Sequence, residues 1–294
     1  MKAATRAHIL MWITAIIWGF AFVAQRAGMD HMGPFAFGGI RFALGALVLL
    51  PLALRQNRDR QRLFSGRLWL SGGIAGLVLF LGASAQQIGL VYTPAGKAGF
   101  ITGLYVVFVP VFGLLWKHRT GVFIWAGIAV AVAGMYFLSI RDGFSIEAGD
   151  LWVFTGALFW ANHVLVIAWL SPRHPSVHLA LVQFTVVALL SLLTASWMEE
   201  IHWTGIRMAA LPILYGGILS VGIAYTLQVV AQKDAHPAYV SIVLSLETVF
   251  AALGGWWLLN ESFSLRELLG CLLMLAGILL AQIPEMKSKR TVPA

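Results

Sequence analysis

Ten apolar segments follow one another along the chain, separated by short polar or charged connections, near residues 8–28, 34–54, 68–91, 94–116, 122–140, 150–170, 177–197, 208–231, 237–259 and 265–283. As a helix rising ~1.5 Å per residue, each is long enough to cross a hydrocarbon layer ~30 Å thick, so the pattern predicts ten membrane spans, numbered here 1 to 10. Such a chain buries its apolar surface largely in lipid and its polar surface inside the helix bundle. The first segment also has the general form of a cleavable leader. It is long for one, however, and its removal would delete the partner of span 6 in the duplication described next, so it is read as retained.

Shifted by 142 to 144 residues, the chain registers with itself. Trp18 falls on Trp160, Phe42 on Phe184, Gly72-Gly73 on Gly216-Gly217, Gln86 on Gln228, Leu104 on Leu246, Gly127 on Gly270 and Gly134 on Gly277. Each half holds five spans, and because five is odd the second half enters the bilayer from the opposite side. The expected fold is therefore all-α and integral to the membrane: ten transmembrane helices as two inverted five-helix repeats, residues 1–143 and 144–284, with a basic tail over 285–294. Inverted repeats of this kind are characteristic of alternating-access transporters.

Composition agrees, with 60% hydrophobic and 11% charged residues, against roughly 25% charged in an average soluble domain. The net charge of +8 invites a nucleic-acid reading, but the placement of the charges argues for topology. With the N-terminus inside, fourteen basic residues (Lys2, Arg6, Arg55, Arg58, Arg60, Arg62, Arg67, Lys117, Arg119, Arg173, Lys233, Lys287, Lys289, Arg290) fall at inner ends and loops, and five (Arg26, Lys97, Arg141, Arg207, Arg266) at outer ones. Both termini are thus expected in the cytoplasm. The basic run 55–67 lacks interleaved aromatic residues, so no nucleic-acid partner is expected. Cys271 is the sole cysteine, which excludes an internal disulfide framework and a cysteine metal cluster. No second His or acid recurs at ligand spacing, so neither a metal nor a cofactor is expected. No Ser/His/Asp set or paired carboxylates converge at one depth, which argues against an enzyme.

Segment lengths place Trp18, Tyr105, Trp160 and Glu247 near the bilayer centre, as two repeat-related pairs, Trp18 with Trp160 and Tyr105 with Glu247. Tryptophan ordinarily gathers at the interfaces, as Trp12, Trp69, Trp116, Trp125, Trp152, Trp197 and Trp203 do by position. Trp18 and Trp160 instead either pack between helices or wall a cavity. Glu247 is the only acid well inside a span. It either bonds locally and shapes packing, or forms a cavity wall that can receive an ammonium group, since an acid at this depth is costly on lipid. His163, three residues beyond Trp160, is open to a helix contact or a proton-carrying role, with Asn162 beside it. Arg41 and Gln86 lie in the outer parts of spans 2 and 3, and their mates Gln183 and Gln228 in the inner parts of spans 7 and 8. Two polar vestibules follow, to which Gln87, Tyr225 and Thr226 can contribute. Arg41 can snorkel outward or present its fork to a carboxylate. Gly99-x-x-x-Gly103 aligns with Ser241-x-x-x-Ser245, a spacing of small residues that lets spans 4 and 9 meet across the pseudo-twofold axis. Pro110 removes a backbone bond from span 4, giving either a hinge or a static kink. The candidate substrate-binding set is Trp18, Gln86, Tyr105, Trp160, His163, Tyr225, Gln228, Ser245 and Glu247, with Gly99, Gly103, Pro110 and Ser241 as hinge or packing positions.

Ile17-Trp18-Gly19-Phe20, the run from Tyr92 to Thr102, the run from Leu244 to Ala252, and Asn260-Glu261 leading to Gly270 and Gly277 resemble the EamA-type members of the drug/metabolite transporter superfamily over essentially the whole chain. Two positions depart from that pattern, Thr248 in place of a proline and Asn260 in place of a glycine. The resemblance implies a central cavity walled by spans 1, 3, 4, 6, 8 and 9, and export of amino acids and related small metabolites from a bacterial cytoplasm across the inner membrane. The branch is similar to aromatic amino-acid exporters. The expected partners are a small-molecule substrate and the lipid bilayer, with the carrier acting as a monomer. The alternative, a proton-coupled drug-cation efflux transporter, favours an acid at the centre of span 1, and residues 8–28 contain none. A passive channel would want a continuous polar file, whereas the midplane is lined with aromatics. Facilitated export and proton exchange are equally compatible with the sequence.

Overall fold

The computed structural model describes residues 3–55, 65–115, 120–139, 147–259 and 264–290. Most of the basic run after Arg55, the charged residues Lys117, Arg119 and Arg141, and Asn260-Glu261 lie outside the described residues.

All regular structure among the described residues is helical. Spans 1, 2 and 3 are the helices Ala3–Met29, Pro34–Arg55 and Gly66–Tyr92. Spans 5, 6, 7 and 10 are Val122–Ser139, Ala148–Leu170, Ser176–Met198 and Leu265–Arg290. Span 4 is divided into Ala95–Gly103 and Tyr105–Leu115, and span 9 into Pro237–Leu244 and Glu247–Leu259. Span 8 runs through Ala210–Leu214, a π-helical stretch Tyr215–Tyr225, and Thr226–Ala231. Eight of the described helical segments are long and apolar enough to cross a membrane, and the shorter apolar helices Val122–Phe137 and Leu268–Ala281 stand in the places of spans 5 and 10. The helix of span 10 continues to Arg290, beyond the apolar run.

The protein is an all-α membrane protein of ten helices in two inverted repeats, and the packing displays the pseudo-twofold directly. Span 5 packs on 10, span 2 on 7 and span 4 on 9, each against its own repeat mate, while 3 on 6 is matched by 1 on 8, 3 on 7 by 2 on 8, and 4 on 6 by 1 on 9. The crossing of spans 4 and 9 is antiparallel: the first half of each lies on the second half of the other. Spans 5 and 10 approach most closely. A Cβ added at Gly127 would stand 2.5 Å from the Gly277 carbonyl oxygen, one at Gly277 would stand 2.6 Å from that of Gly127, and one at Gly134 would stand 2.6 Å from that of Gly270. Backbone thus meets backbone at two points, and helices in lipid gain most of their association from such dispersion contact.

Both divided spans break at the same repeat position, Leu104 in span 4 and Ser245-Leu246 in span 9. Each break is a tightened turn with i→i−3 bonds: Leu104 N–H to the Ile101 carbonyl (3.2 Å) and Val107 to Leu104 (2.9 Å), and Leu246 to Val243 (3.2 Å) and Thr248 to Ser245 (3.1 Å). These breaks stand apart from Pro110, which lies inside the helix Tyr105–Leu115, and span 9 breaks at the matching position without a proline there. The small-residue faces also meet differently from their alignment. Gly99 and Gly103 face Thr248, whose hydroxyl donates to the Gly99 carbonyl at 3.2 Å. The Ser241 and Ser245 hydroxyls turn back onto their own helix, donating to Ala238 and Ile242 carbonyls at 2.8 Å.

Close backbone contact at the 5–10 crossing makes a clear test. Gly277→Val is expected to cost about 1–3 kcal/mol through overpacking and to lower the Tm of the purified protein in detergent. Gly73→Ala, where nothing lies within 4 Å, should leave Tm unchanged.

Candidate substrate cavity

A cavity opens where the two halves meet, lined by Trp18, Phe22 and Gln25 of span 1, Arg41 of span 2, Gln86 of span 3, Thr102 and Tyr105 of span 4, Trp160 and Val164 of span 6, Ser220, Tyr225 and Gln228 of span 8, and Leu244 and Glu247 of span 9. It is a narrow, partly open cleft, with ≈ 460 Å³ of atom-free space that includes open solvent at its mouth.

Tyr225 is its aromatic hub. The Trp18 ring lies 4.5 Å from the Tyr225 ring centre and the Trp160 ring stacks at 6.0 Å, so the two repeat-related indoles flank one tyrosine. Phe42 and Phe184, also repeat mates, touch each other at 6.1 Å and Tyr225 at 5.9 and 6.1 Å. The π-helical turns widen span 8 just ahead of Tyr225, and such insertions recur at functional sites. Within this stretch the Ser220 carbonyl accepts the Trp18 indole N–H at 3.4 Å.

A glutamine-centred network holds the opposite wall. Gln86 Oε1 accepts the Trp160 indole N–H at 2.8 Å and the Thr102 hydroxyl at 3.4 Å, while Gln86 Nε2 donates to Gln25 Oε1 at 3.4 Å. Gln87 Nε2 donates to the Gln25 carbonyl at 3.3 Å and locks the same corner. Trp160 is thereby fixed in orientation, a polar tip bonded and an apolar face presented.

Two charged groups line the cavity, both buried, Arg41 at 2% and Glu247 at 4% exposure. Arg41 does not snorkel. Its guanidinium carbon stands 5.5 Å from the Phe37 ring centre and 5.1 Å from that of Phe42. The Tyr105 hydroxyl faces the Glu247 carboxyl without completing a well-formed hydrogen bond. Arg41 Nε, the Tyr105 hydroxyl and Gln228 Oε1 are buried lining atoms with no hydrogen-bond partner, and groups of this kind are expected to meet water or a ligand.

The EamA-like transporter family matches this chain twice, over residues 5–140 and 147–282. The chain belongs to the EamA-like transporter family. Among its relatives, an "Uncharacterized transporter" of Archaeoglobus fulgidus is 31% identical over 92% of this chain and 84% of that protein. "Uncharacterized transporter YvbV" of Bacillus subtilis is 24% identical over 97% of this chain and 94% of its own length. "WAT1-related protein At3g02690, chloroplastic" of Arabidopsis thaliana is 26% identical over 91% of this chain and 67% of its own. A solved crystal structure with 20% identity superposes with a TM-score of 0.80 over 95% of this chain and 98% of that one, which shows the shared fold.

This EamA-like transporter is a multi-pass membrane protein, and its cavity gathers seven of the nine residues predicted to bind substrate: Trp18, Gln86, Tyr105, Trp160, Tyr225, Gln228 and Glu247. The other two stand behind the wall. His163 bonds through Nε2 to Gln183 Oε1 at 3.0 Å and sets its ring edge-on to Trp160 and Tyr225. Ser245 is spent on its own helix, as described above. Arg41 also lines the cavity, and Gln25, Phe22, Thr102, Val164, Ser220 and Leu244, which are not singled out by the sequence, complete the lining. Gln25 could have been, as a polar residue on the Trp18 helix; the others carry no signal of depth or direction.

Removing the Trp18 or Trp160 side chain, by substitution with Ala, is expected to lower substrate kcat/KM about tenfold or more, ~1.4 kcal/mol or more of lost contact. Trp160→Phe, which keeps the ring but frees Gln86, should retain more activity than Trp160→Ala while lowering Tm. Wild-type transport by both Ala variants would assign the indoles to packing alone.

Proposed function

We propose that this transporter exports amino acids, large neutral or aromatic ones foremost, from the cytoplasm across the inner membrane of a bacterium by alternating access. The observation that carries this reading is the composition of the cavity: a cluster of aromatic rings, Tyr225 against both Trp18 and Trp160, lining the same space as several polar and charged groups. An aromatic surface of this kind suits a flat or bulky apolar side chain, and the polar groups of the lining suit a small polar backbone.

Two contacts at opposite ends of the molecule support alternation. At one end Lys97 of span 4 pairs with Asp150 of span 6 at 2.6 Å, with the Thr93 hydroxyl donating to the same carboxylate at 3.0 Å. At the repeat-related positions of the other end, the His8 ring of span 1 lies 4.8 Å from the Tyr239 ring of span 9. These two contacts tie the same four helices, 4 to 6 and 1 to 9, that carry the cavity's midplane residues. Spans 4 and 9 both break between their end contact and the far half of the helix, at the points where a carrier that released one end contact at a time would flex. By the charge asymmetry of the loops, Lys97–Asp150 faces outward and His8–Tyr239 inward, with both termini in the cytoplasm.

Reconstituted in liposomes, the purified protein is expected to transport tryptophan, phenylalanine and leucine and to ignore cationic drugs. Transport of cationic drugs with no amino-acid transport would overturn the assignment in favour of drug efflux. In whole cells, cysteine placed at His202 should react with a membrane-impermeant maleimide and cysteine at Asp234 should react only after the membrane is opened. The reverse pattern would invert the molecule and exchange the two end contacts.

A further inference from the structure

We propose that the cavity holds its substrate as a zwitterion, Arg41 taking a carboxylate through its guanidinium and Glu247 taking an ammonium group. This rests on the amino-acid reading above and deepens it by assigning the two ends of the substrate.

Arg41 is the one cation and Glu247 the one acid in the lining. They come from opposite halves of the molecule, and neither is a product of the duplication, because the repeat mate of Arg41 is Gln183 and that of Glu247 is Tyr105. They do not pair with each other. Arg41 is held by the rings of Phe37 and Phe42, and its Nε has no partner; Glu247 has the neutral Tyr105 hydroxyl beside it. Tyr225 lines the same cavity.

An arginine and a glutamic acid buried in one cavity and kept apart each lack an oppositely charged partner there, and a buried charge without one is costly. A ligand bearing one charge satisfies one of them and leaves the other as it was. A ligand bearing both, with a carboxylate and an ammonium on a short backbone, satisfies both at once. A guanidinium edge is also the donor group best matched to a carboxylate, with two parallel N–H bonds. The rest of the lining is largely apolar, with Trp18, Phe22, Trp160, Val164 and Leu244 there to meet the side chain of such a ligand. Because Arg41 and Glu247 belong to different halves, binding of this kind draws the halves together across the substrate.

Competition against labelled tryptophan uptake into proteoliposomes of phosphatidylethanolamine and phosphatidylglycerol tests this. L-Tryptophanamide lacks the carboxylate and N-acetyl-L-tryptophan lacks the ammonium, and each is expected to compete about tenfold or more worse than tryptophan itself, since leaving a buried polar group unpaired discriminates strongly. Arg41→Gln should reduce the gap for the amide to about twofold or less while retaining the gap for the acetyl compound, and Glu247→Gln should do the converse. Equal competition by all three compounds in the wild type overturns the proposal without any variant. So do variants that transport yet keep both gaps. Absence of any amino-acid transport by the wild type overturns the exporter reading and the zwitterion with it, whereas transport that ignores both end groups overturns the zwitterion alone.

Discussion

Hydrocarbon offers no hydrogen-bond partner, and that one condition organises this molecule. Every backbone group outside the loops must be satisfied within a helix, and every polar side chain in a span must turn inward. Gln25, Gln86, Gln87, Arg41, Gln183, Gln228 and Glu247 are all buried as a result, and they converge because the bundle interior is the only place that can take them. The outer faces carry the complementary pattern, with leucine exposed along the spans and Trp69, Trp152, Trp197 and Trp203 exposed near their ends, where an amphipathic ring sits best.

Inside that envelope the inverted halves are joined by close crossings of repeat mates. Spans 5 and 10 meet backbone to backbone at their glycines and form a rigid flank. Spans 2 and 7 are tied at both ends: Glu199 accepts the free N–H groups of Phe35 and Ala36 at 2.8 and 2.7 Å, filling the need of a helix N-terminus, and His178 Nε2 reaches the Ala53 carbonyl at 3.1 Å. The crossing of spans 4 and 9 differs. Its helices are interrupted where they meet, and the interruption places Tyr105 and Glu247 at the first position of a new helix, facing the cavity. Rigidity at the flanks and discontinuity at the centre are consistent with a transporter that moves around a midplane site.

Departures from the internal symmetry are what give the cavity its chemistry. Span 3 is a regular α-helix from Gly66 to Tyr92, whereas its mate, span 8, carries the π-helical stretch and Tyr225. Position 83, the mate of Tyr225, is alanine. Cation and acid likewise occur once each. The duplication supplies a frame with paired indoles and paired glutamines, and single substitutions within it make one side of the cavity unlike the other.

The sequence by itself determined the ten spans, the duplication and the inversion, because these rest on helix length, apolar periodicity and the oddness of five. It also determined most of the cavity, since a polar or aromatic residue at the depth of Trp18, Tyr105, Trp160 or Glu247 is costly on lipid and so belongs inside. Tertiary structure decided which of those residues share a space. His163 and Ser245 have the same depth and type as their neighbours, yet one is drawn into a bond with Gln183 and the other into its own helix, and helix rotation by less than a turn separates the two outcomes. Nor could spacing show where span 4 breaks: proline is a legible signal, but the turn at Leu104 lies away from Pro110, where span 4 crosses its repeat mate some 140 positions away. Whether Arg41 snorkels or points inward was open for the same reason, and it was settled by Phe37 and Phe42, whose rings hold the guanidinium against the cavity.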